Sequence, residues 1–208
     1  MGAIVYARTG TIMHTLANVY GKALVQRALG RYARRYRFQH PGPRHFLGVM
    51  REVLGEDAAD NLEEALFHRG WVDYVVRDLQ TARVRTPGGV FDRTSGRETI
   101  PREQPNPHEW IGRVLVFRHG TLRFPVDVDL VSRDGKRTRR HWDGRGKWTN
   151  IEYHGDSPLV AAVVDPDGRI AIDDNLLNNA VSSRPGGAPR SLERGVYAAE
   201  LLLGALGP

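Results

Sequence analysis

Residue types that could do chemistry are present in this chain, but they are not spaced as a self-sufficient catalytic or metal site. A zinc hydrolase site built on a helix needs His-Glu-x-x-His, which sets two imidazoles on one face and leaves the glutamate as general base. The nearest string starts at His108-Glu109, but Gly112 stands where the last histidine would be and the stretch is rich in proline. The eight histidines include His14, His40, His45 and His68, which read as helix-packing or surface residues rather than as a ligand set. With no cysteine in the chain, thiolate ligands, a cysteine nucleophile and disulfides are excluded. Ser95-Gly96 lacks the preceding Gly-x of a nucleophile elbow. Asp127 and Asp129 alternate along a predicted strand as outward acids, and Asp165-Pro166-Asp167-Gly168 reads as a turn, because the other ligand positions of a calcium loop are not supplied. Tyr6 has chemistry suited to a supporting role, since a neutral phenol can donate to developing negative charge without competing as a metal ligand. Residue type alone favours a packing aromatic with one polar contact.

The elements that would position these residues fall into two grammars. Ile4, Ile12, Leu16 and Val19 form one stripe that predicts a helix from Ala3 to about Asn18, with Gly21 marking a bend. Leu24, Ala28, Leu29, Tyr32 and Tyr36 predict a second helix from Lys22 to about Tyr36, with arginines on its other side. Pro41-Gly42-Pro43 stops that pattern and starts a third helix, since proline near the first helical position sacrifices no intrahelical bond. Phe46, Val49, Met50 and Val53 form its stripe up to Gly55, and Leu62, Ala65, Leu66 and Phe67 a fourth before Gly70.

After Trp71 the pattern becomes β-rich. Strands are predicted over Tyr74–Arg85, Val114–Arg118, Leu122–Leu130, Arg137–Trp142, Lys147–Tyr153, Leu159–Val164 and Arg169–Ile172. Asp134-Gly135 and Asp143-Gly144 are turns between them. Residues 87–109 read as a long inter-strand loop, and Ser182–Arg190 as a linker that ends the sheet region. The fold class is therefore α+β: a helical segment over residues 1–73, an antiparallel β-sandwich over 74–181, and a linker with a short terminal helix over 182–208.

The 208 residues, 40% of them hydrophobic, suffice for one large or two small cores. Thirty Lys and Arg against 24 Asp and Glu give a net charge of +6, much of it in pairs such as Arg34-Arg35 and Arg139-Arg140. No base-reading motif accompanies this charge, so no nucleic-acid partner is expected and the arginines read as solvated surface. The opening Met1-Gly2-Ala3-Ile4-Val5 lacks the features of a secretory signal, and Val196–Leu206 is too short to cross a bilayer. The chain itself is expected to be soluble.

Val5-Tyr6-Ala7-Arg8-Thr9-Gly10, followed by Ile12, Met13, His14 and Leu16, resembles the segment downstream of the zinc site in M1-family, gluzincin-type aminopeptidases. Tyr32 through Phe38, His40-Pro41, Phe46, Val53-Leu54-Gly55 and Trp71-Val72-Asp73-Tyr74 are similar to that family's helices and their passage into the post-catalytic β-domain. Leu122 to Val126, His141-Trp142-Asp143-Gly144, Val164-Asp165-Pro166 and Leu176 to Asn179 look like the β-domain of bacterial relatives. The resemblance reaches about Asn179.

It implies that Tyr6 hydrogen-bonds the oxyanion formed when metal-activated water attacks the peptide carbonyl. Arg8 stands where the family often has lysine, and Gly10 one place later than the family's glycine; Arg8 is therefore given no catalytic role and is read as a salt-bridging or solvated residue. The expectation is a fragment that is inactive alone, binds no metal or cofactor itself, and supports and completes the active site of a zinc-dependent aminopeptidase-like parent. Its partners would be the missing upstream catalytic segment and, in the parent, zinc and a peptide substrate. That parent could be cytoplasmic or membrane-associated. The alternative is a β-sandwich protein-interaction module from an M1-like protein that has lost catalysis.

Overall fold

The first two helical stripes fold as α1 (Gly2–Tyr20) and α2 (Lys22–Arg35). They are separated by Gly21, whose φ of 105° is a conformation that side-chain-bearing residues rarely adopt. The computed structural model describes residues 2–84, 89–100 and 109–183. α3 (Pro43–Leu54) has proline in its first turn, and the Gly42 N–H donates to His45 Nδ1 at 3.0 Å. α4 (Glu56–Phe67) opens with Glu56 and Asp57, carboxylates that offset the positive end of the helix dipole. Ile12, Leu16, Val25, Ala28, Leu47, Met50, Ala58 and Leu62 are buried between the helices. The predicted face of α2 is only partly right: Val25 is buried, and Leu29 is 40% exposed.

Beyond the helices, two antiparallel sheets pack as a sandwich, beside a separate two-stranded hairpin. In one, the order is β1 (Val72–Arg83), β4 (Trp110–Gly120), β7 (Trp148–Gly155). In the other it is β6 (Arg137–Trp142), β5 (Val126–Ser132), β8 (Leu159–Val164), β9 (Ala180–Ser182). Inward residues alternate as a half-buried strand requires: Val114 and Val116 on β4, Ile151 and Tyr153 on β7, Val126, Val128 and Leu130 on β5. All of them join the same hydrophobic cluster as the helix residues.

Several strand predictions change. Within the stretch read as a loop, β2 (Gly89–Arg93) and β3 (Gly96–Ile100) pair as a hairpin around Thr94-Ser95, with Gly96 at φ 123°. Two five-residue strands among glycines and prolines give too short an alternation to stand out. Pro87, Gly88, Pro101, Pro105, Pro107 and His108 lie outside the described residues, as does the terminal helix expected at Val196–Leu206.

Leu122–Leu130 is a strand only from Val126, because Leu122 and Phe124 enter the core on an irregular segment. Arg169–Ile172 forms no ladder; it buries Ile170 and Ile172 through a turn, and only the following Asp173 bridges to Val72. The four-residue turn at Asp165–Gly168 is present, with Gly168 N–H donating to Asp165 O at 3.0 Å.

One buried node joins the layers. Tyr74 Oη donates to the Phe124 carbonyl at 2.6 Å and accepts from the Phe124 N–H at 3.2 Å. The Tyr74 ring meets Trp142 edge-on at 5.9 Å. Burial holds the phenol above its ordinary pKa, so it stays a neutral donor. Gly144, at φ 67°, completes the contact: a Cβ there would stand 2.0 Å from Phe124 O and 3.0 Å from Tyr74 Oη. Tyr74→Phe keeps the volume and leaves two buried backbone groups unpaired. The expected result is a loss of about 1–3 kcal/mol in urea unfolding with little change in m-value; an unchanged midpoint would show that the pair contributes nothing.

Candidate functional site

α1 carries Tyr6 about one turn from its start, and Tyr6 is 81% exposed. The helix is fixed immediately beside it. Arg8 Nε donates to the Ala65 carbonyl at 3.0 Å, and its Nη2 donates to the Gly70 carbonyl. Arg8 is therefore neither a salt bridge nor a solvated side chain: two backbone acceptors at the end of α4 satisfy it, which fixes the rotation of α1 where Tyr6 projects. A Cβ at Gly10 would meet nothing within 4 Å, so that glycine marks an open surface and not a close approach.

The far end of α1 is held from the sandwich. Arg169 donates to Asn18 O at 2.9 Å and Val19 O at 2.7 Å, two of the carbonyls a helix C-terminus leaves unpaired. Asn61 of α4 brackets the Arg123 backbone, donating to its carbonyl and accepting from its N–H, each at 2.7 Å.

The structure does not gather the other candidates around Tyr6. His14 is exposed on α1, His40 is exposed between α2 and α3, His68 is exposed just past the end of α4, and His45 is engaged with Gly42. Among the described residues there is no group of three or more His, Asp or Glu side chains able to hold a metal ion. Glu109 precedes β4 and His108 is outside the described residues. Ser95 sits in the β2–β3 turn.

Asp127 and Asp129 are not simply outward acids, because Asp129 is buried under Arg139. Arg139 grips Asp129 with Nε and Nη2 at 2.7 and 3.1 Å and reaches Asp167 with Nη1 at 2.6 Å. These bonds raise the Arg139 pKa and lower that of Asp167. His141 Nδ1 lies 2.8 Å from Asp127 Oδ1. The network links two strands, β5 and β6, to the Asp165–Gly168 turn.

A cavity of about 780 Å³ opens at one end of the β1–β4–β7 sheet, lined by Gln80, Ala82, Ile111, Arg113, Glu152 and His154 among others. Arg113 is already bonded to Gln80 at 3.0 Å. The hydroxyl of Ser183, also in the lining, donates to Val160 O at 3.2 Å, so no activated nucleophile points into the space.

Two buried polar residues carry no signal in the sequence. Arg118 lies in the core and donates to the Gly120, Leu122 and Gly146 carbonyls, with burial lowering its pKa. Asp173 accepts from the N–H groups of Asn175 and Tyr74 and from Asn179 Nδ2. Burial nevertheless outweighs these bonds and raises its pKa. Each combines nearby backbone partners with one distant in the chain, Gly146 for Arg118 and Tyr74 for Asp173, and backbone partners leave no side-chain pattern in the sequence.

No protein-family model matches the chain, and no curated protein does so significantly.

Two measurements test this geometry. Arg8→Ala should remove about 1.5–3 kcal/mol of charge-assisted bonding and speed amide exchange across the first turns of α1, with sandwich amides unchanged; equal protection in both proteins would show that Arg8 holds nothing. For Asp173 the raised native pKa means that folding takes up a proton, so its contribution to stability is full below the unfolded pKa and is lost as pH rises through the native value. Lowering pH from neutral to about 4 should therefore shift the urea midpoint of the wild type upward relative to Asp173→Asn; a parallel pH response would refute the assignment.

Proposed function

We propose that this chain is a non-catalytic supporting part of a zinc-aminopeptidase-like protein. In this reading α1 supplies Tyr6 to one wall of a peptidase site, the ligands of the zinc stand on a segment upstream, and the sandwich holds the wall in place. The observation that carries the reading is an uncovered phenol on a helix anchored two residues away: Tyr6 is 81% exposed while Arg8 is tied to Ala65 and Gly70. A fixed backbone lowers the cost of aiming the donor, leaving only its side-chain torsions to be set when the cleft closes, and a positioned donor is what oxyanion stabilisation requires. The order of motifs resembling the M1 family supplies the identity of the missing chemistry.

Zinc, when bound by the upstream segment, would activate water and polarise the peptide carbonyl. This chain's own residues would orient the phenol, close one side of the cleft and keep its position when substrate binds.

A second reading, a protein-interaction module without catalysis, is favoured by one feature of the sandwich. On the outward face of the β1–β4–β7 sheet, Phe117 stacks on His119 at 6.4 Å and stands directly across from Trp148, which is 59% exposed. Aromatic residues left in water on a rigid sheet are common anchors of protein interfaces. Translation of the DNA upstream separates the two readings: His-Glu-x-x-His with a later glutamate supports the first, and substituted ligands the second.

The purified chain is expected to show no aminopeptidase turnover and no tight zinc in calorimetric titration; one tight zinc with metal-dependent turnover would overturn the supporting role. Joined to the upstream segment, the protein should hydrolyse aminoacyl substrates. Tyr6→Phe should then lower kcat by roughly 100- to 1000-fold, with KM, zinc content and unfolding midpoint retained. Near-normal turnover would return Tyr6 to a packing role.

A further inference from the structure

The first carboxylate in the chain is Glu52; every Lys or Arg before it belongs to a stretch with no internal acid. On α2, Arg27, Arg31 and Arg34 recur at i, i+4 and i+7, which places them in a row within about 60° of arc, spaced about 4.5–6 Å along the axis. All three are exposed. Arg34 folds back over Gly30, where a Cβ would stand 3.3 Å from its guanidinium, so its charge is drawn toward the turn that carries Arg27 and Arg31. Arg31 and Arg35 share Glu52, at 3.7 and 2.7 Å. Arg27, Arg34 and Arg37 have no ion-pair partner among the described residues.

Beyond the helix end, Phe38 is 91% exposed with φ at 61°, and the Arg37 guanidinium covers its ring at 4.8 Å. Helix-end electrostatics account for Arg34 and Arg35, since cations are favourable in a last turn. They account neither for Arg27 two turns earlier nor for a phenyl ring held in water on a backbone conformation unusual for it.

We infer that the outer face of α2 and the turn after it form a docking surface for an acidic polypeptide segment. Its carboxylates would meet Arg27, Arg34 and Arg37, and one of its apolar side chains would cover Phe38. Arginine combined with aromatic side chains, with lysine scarce, is the composition of the energetic centre of protein interfaces. Lys22 is the only lysine in the acid-free stretch.

A nucleic-acid strand is a poorer match, because such sites pair a groove that follows the backbone with several stacking rings, and this face is a convex helix with one ring fully presented. A lipid surface is also poorer: interfacial helices bury an apolar face, and the apolar face of α2, with Val25 and Ala28, is already used inside the helical layer. The inference is independent of the Tyr6 reading, since it concerns a different helix and requires no zinc site.

The test uses the full chain in fluorescence anisotropy with three probes: a short labelled peptide of glutamates around a central leucine, the same peptide with glutamine for glutamate, and an oligothymidylate of equal length. Phosphatidylserine vesicles are assayed in parallel by co-sedimentation. The acidic peptide should bind and the glutamine peptide should not. Arg27→Gln/Arg34→Gln and Phe38→Ser should each weaken it by about tenfold or more, with circular dichroism and melting unchanged. Arg137→Gln, on the exposed edge strand β6, should leave binding as it is.

Absence of peptide binding, equal weakening by Arg137→Gln, or tighter binding of the oligonucleotide or the vesicles would overturn the assignment.

Discussion

Both polar groups of the Phe124 backbone are answered by a single phenol, and much of the molecule is arranged so that this can happen. Phe124 lies on an irregular segment inside the core, where an unpaired N–H or carbonyl would cost as much as the burial of a side chain contributes. Tyr74 satisfies both from the first strand of one sheet. Trp142, from the edge strand of the other sheet, packs against the Tyr74 ring, and the absence of a side chain at Gly144 leaves room for the Phe124 carbonyl. Arg118 then ties the loops on either side through their carbonyls. Helices and sheets share one hydrophobic cluster because this polar node lets irregular chain pass through the middle of it.

From that node the constraints run outward to α1. Asn61 fixes α4 to Arg123, one residue from Phe124, and α4 in turn receives Arg8. Arg169 caps the opposite end of α1 from a turn of the sandwich. In each case a polar side chain satisfies backbone groups. Such contacts are directional, so they specify helix rotation and not merely proximity. Tyr6 projects into solvent two residues before the Arg8 anchor.

The helices were legible because each stripe repeats at spacings of three and four and is punctuated by Gly21, Pro43 and Gly55. The long strands were legible where inward apolar residues alternate, as at Val126, Val128 and Leu130. The β2–β3 hairpin was not, and neither was the three-residue β9, since neither holds enough alternation to exceed the background of turn residues. Leu122 and Phe124 extended the pattern of β5 by coincidence of type: both are buried, but no ladder partner stands beside them.

At the candidate site, the sequence offered Tyr6 through a resemblance and set Arg8 aside as surface. Its real partners, the Ala65 and Gly70 carbonyls, are backbone atoms more than 55 positions away. No side-chain pattern encodes them. Asp129 was misread for a related reason, because its cover comes from Arg139 on a neighbouring strand.

The order of strands in the first sheet bears on how the chain reaches this state. α1 and α2 meet through a short turn, and α3 and α4 follow at once, so their contacts close small loops. β1 pairs with β4, which lies beyond the β2–β3 hairpin, and β4 pairs with β7, so the sheet is complete only when residues as far as Gly155 have arrived. During synthesis the helices therefore leave the ribosome well before the strands that shelter Tyr74, and β1 has no ladder partner until β4 arrives. Loop-closure entropy makes such distant pairing the slow step. The hairpin between β1 and β4 shortens the effective loop that must close. An early hairpin there would speed the zipping of the sandwich and shorten the time for which β1 stands without its partner.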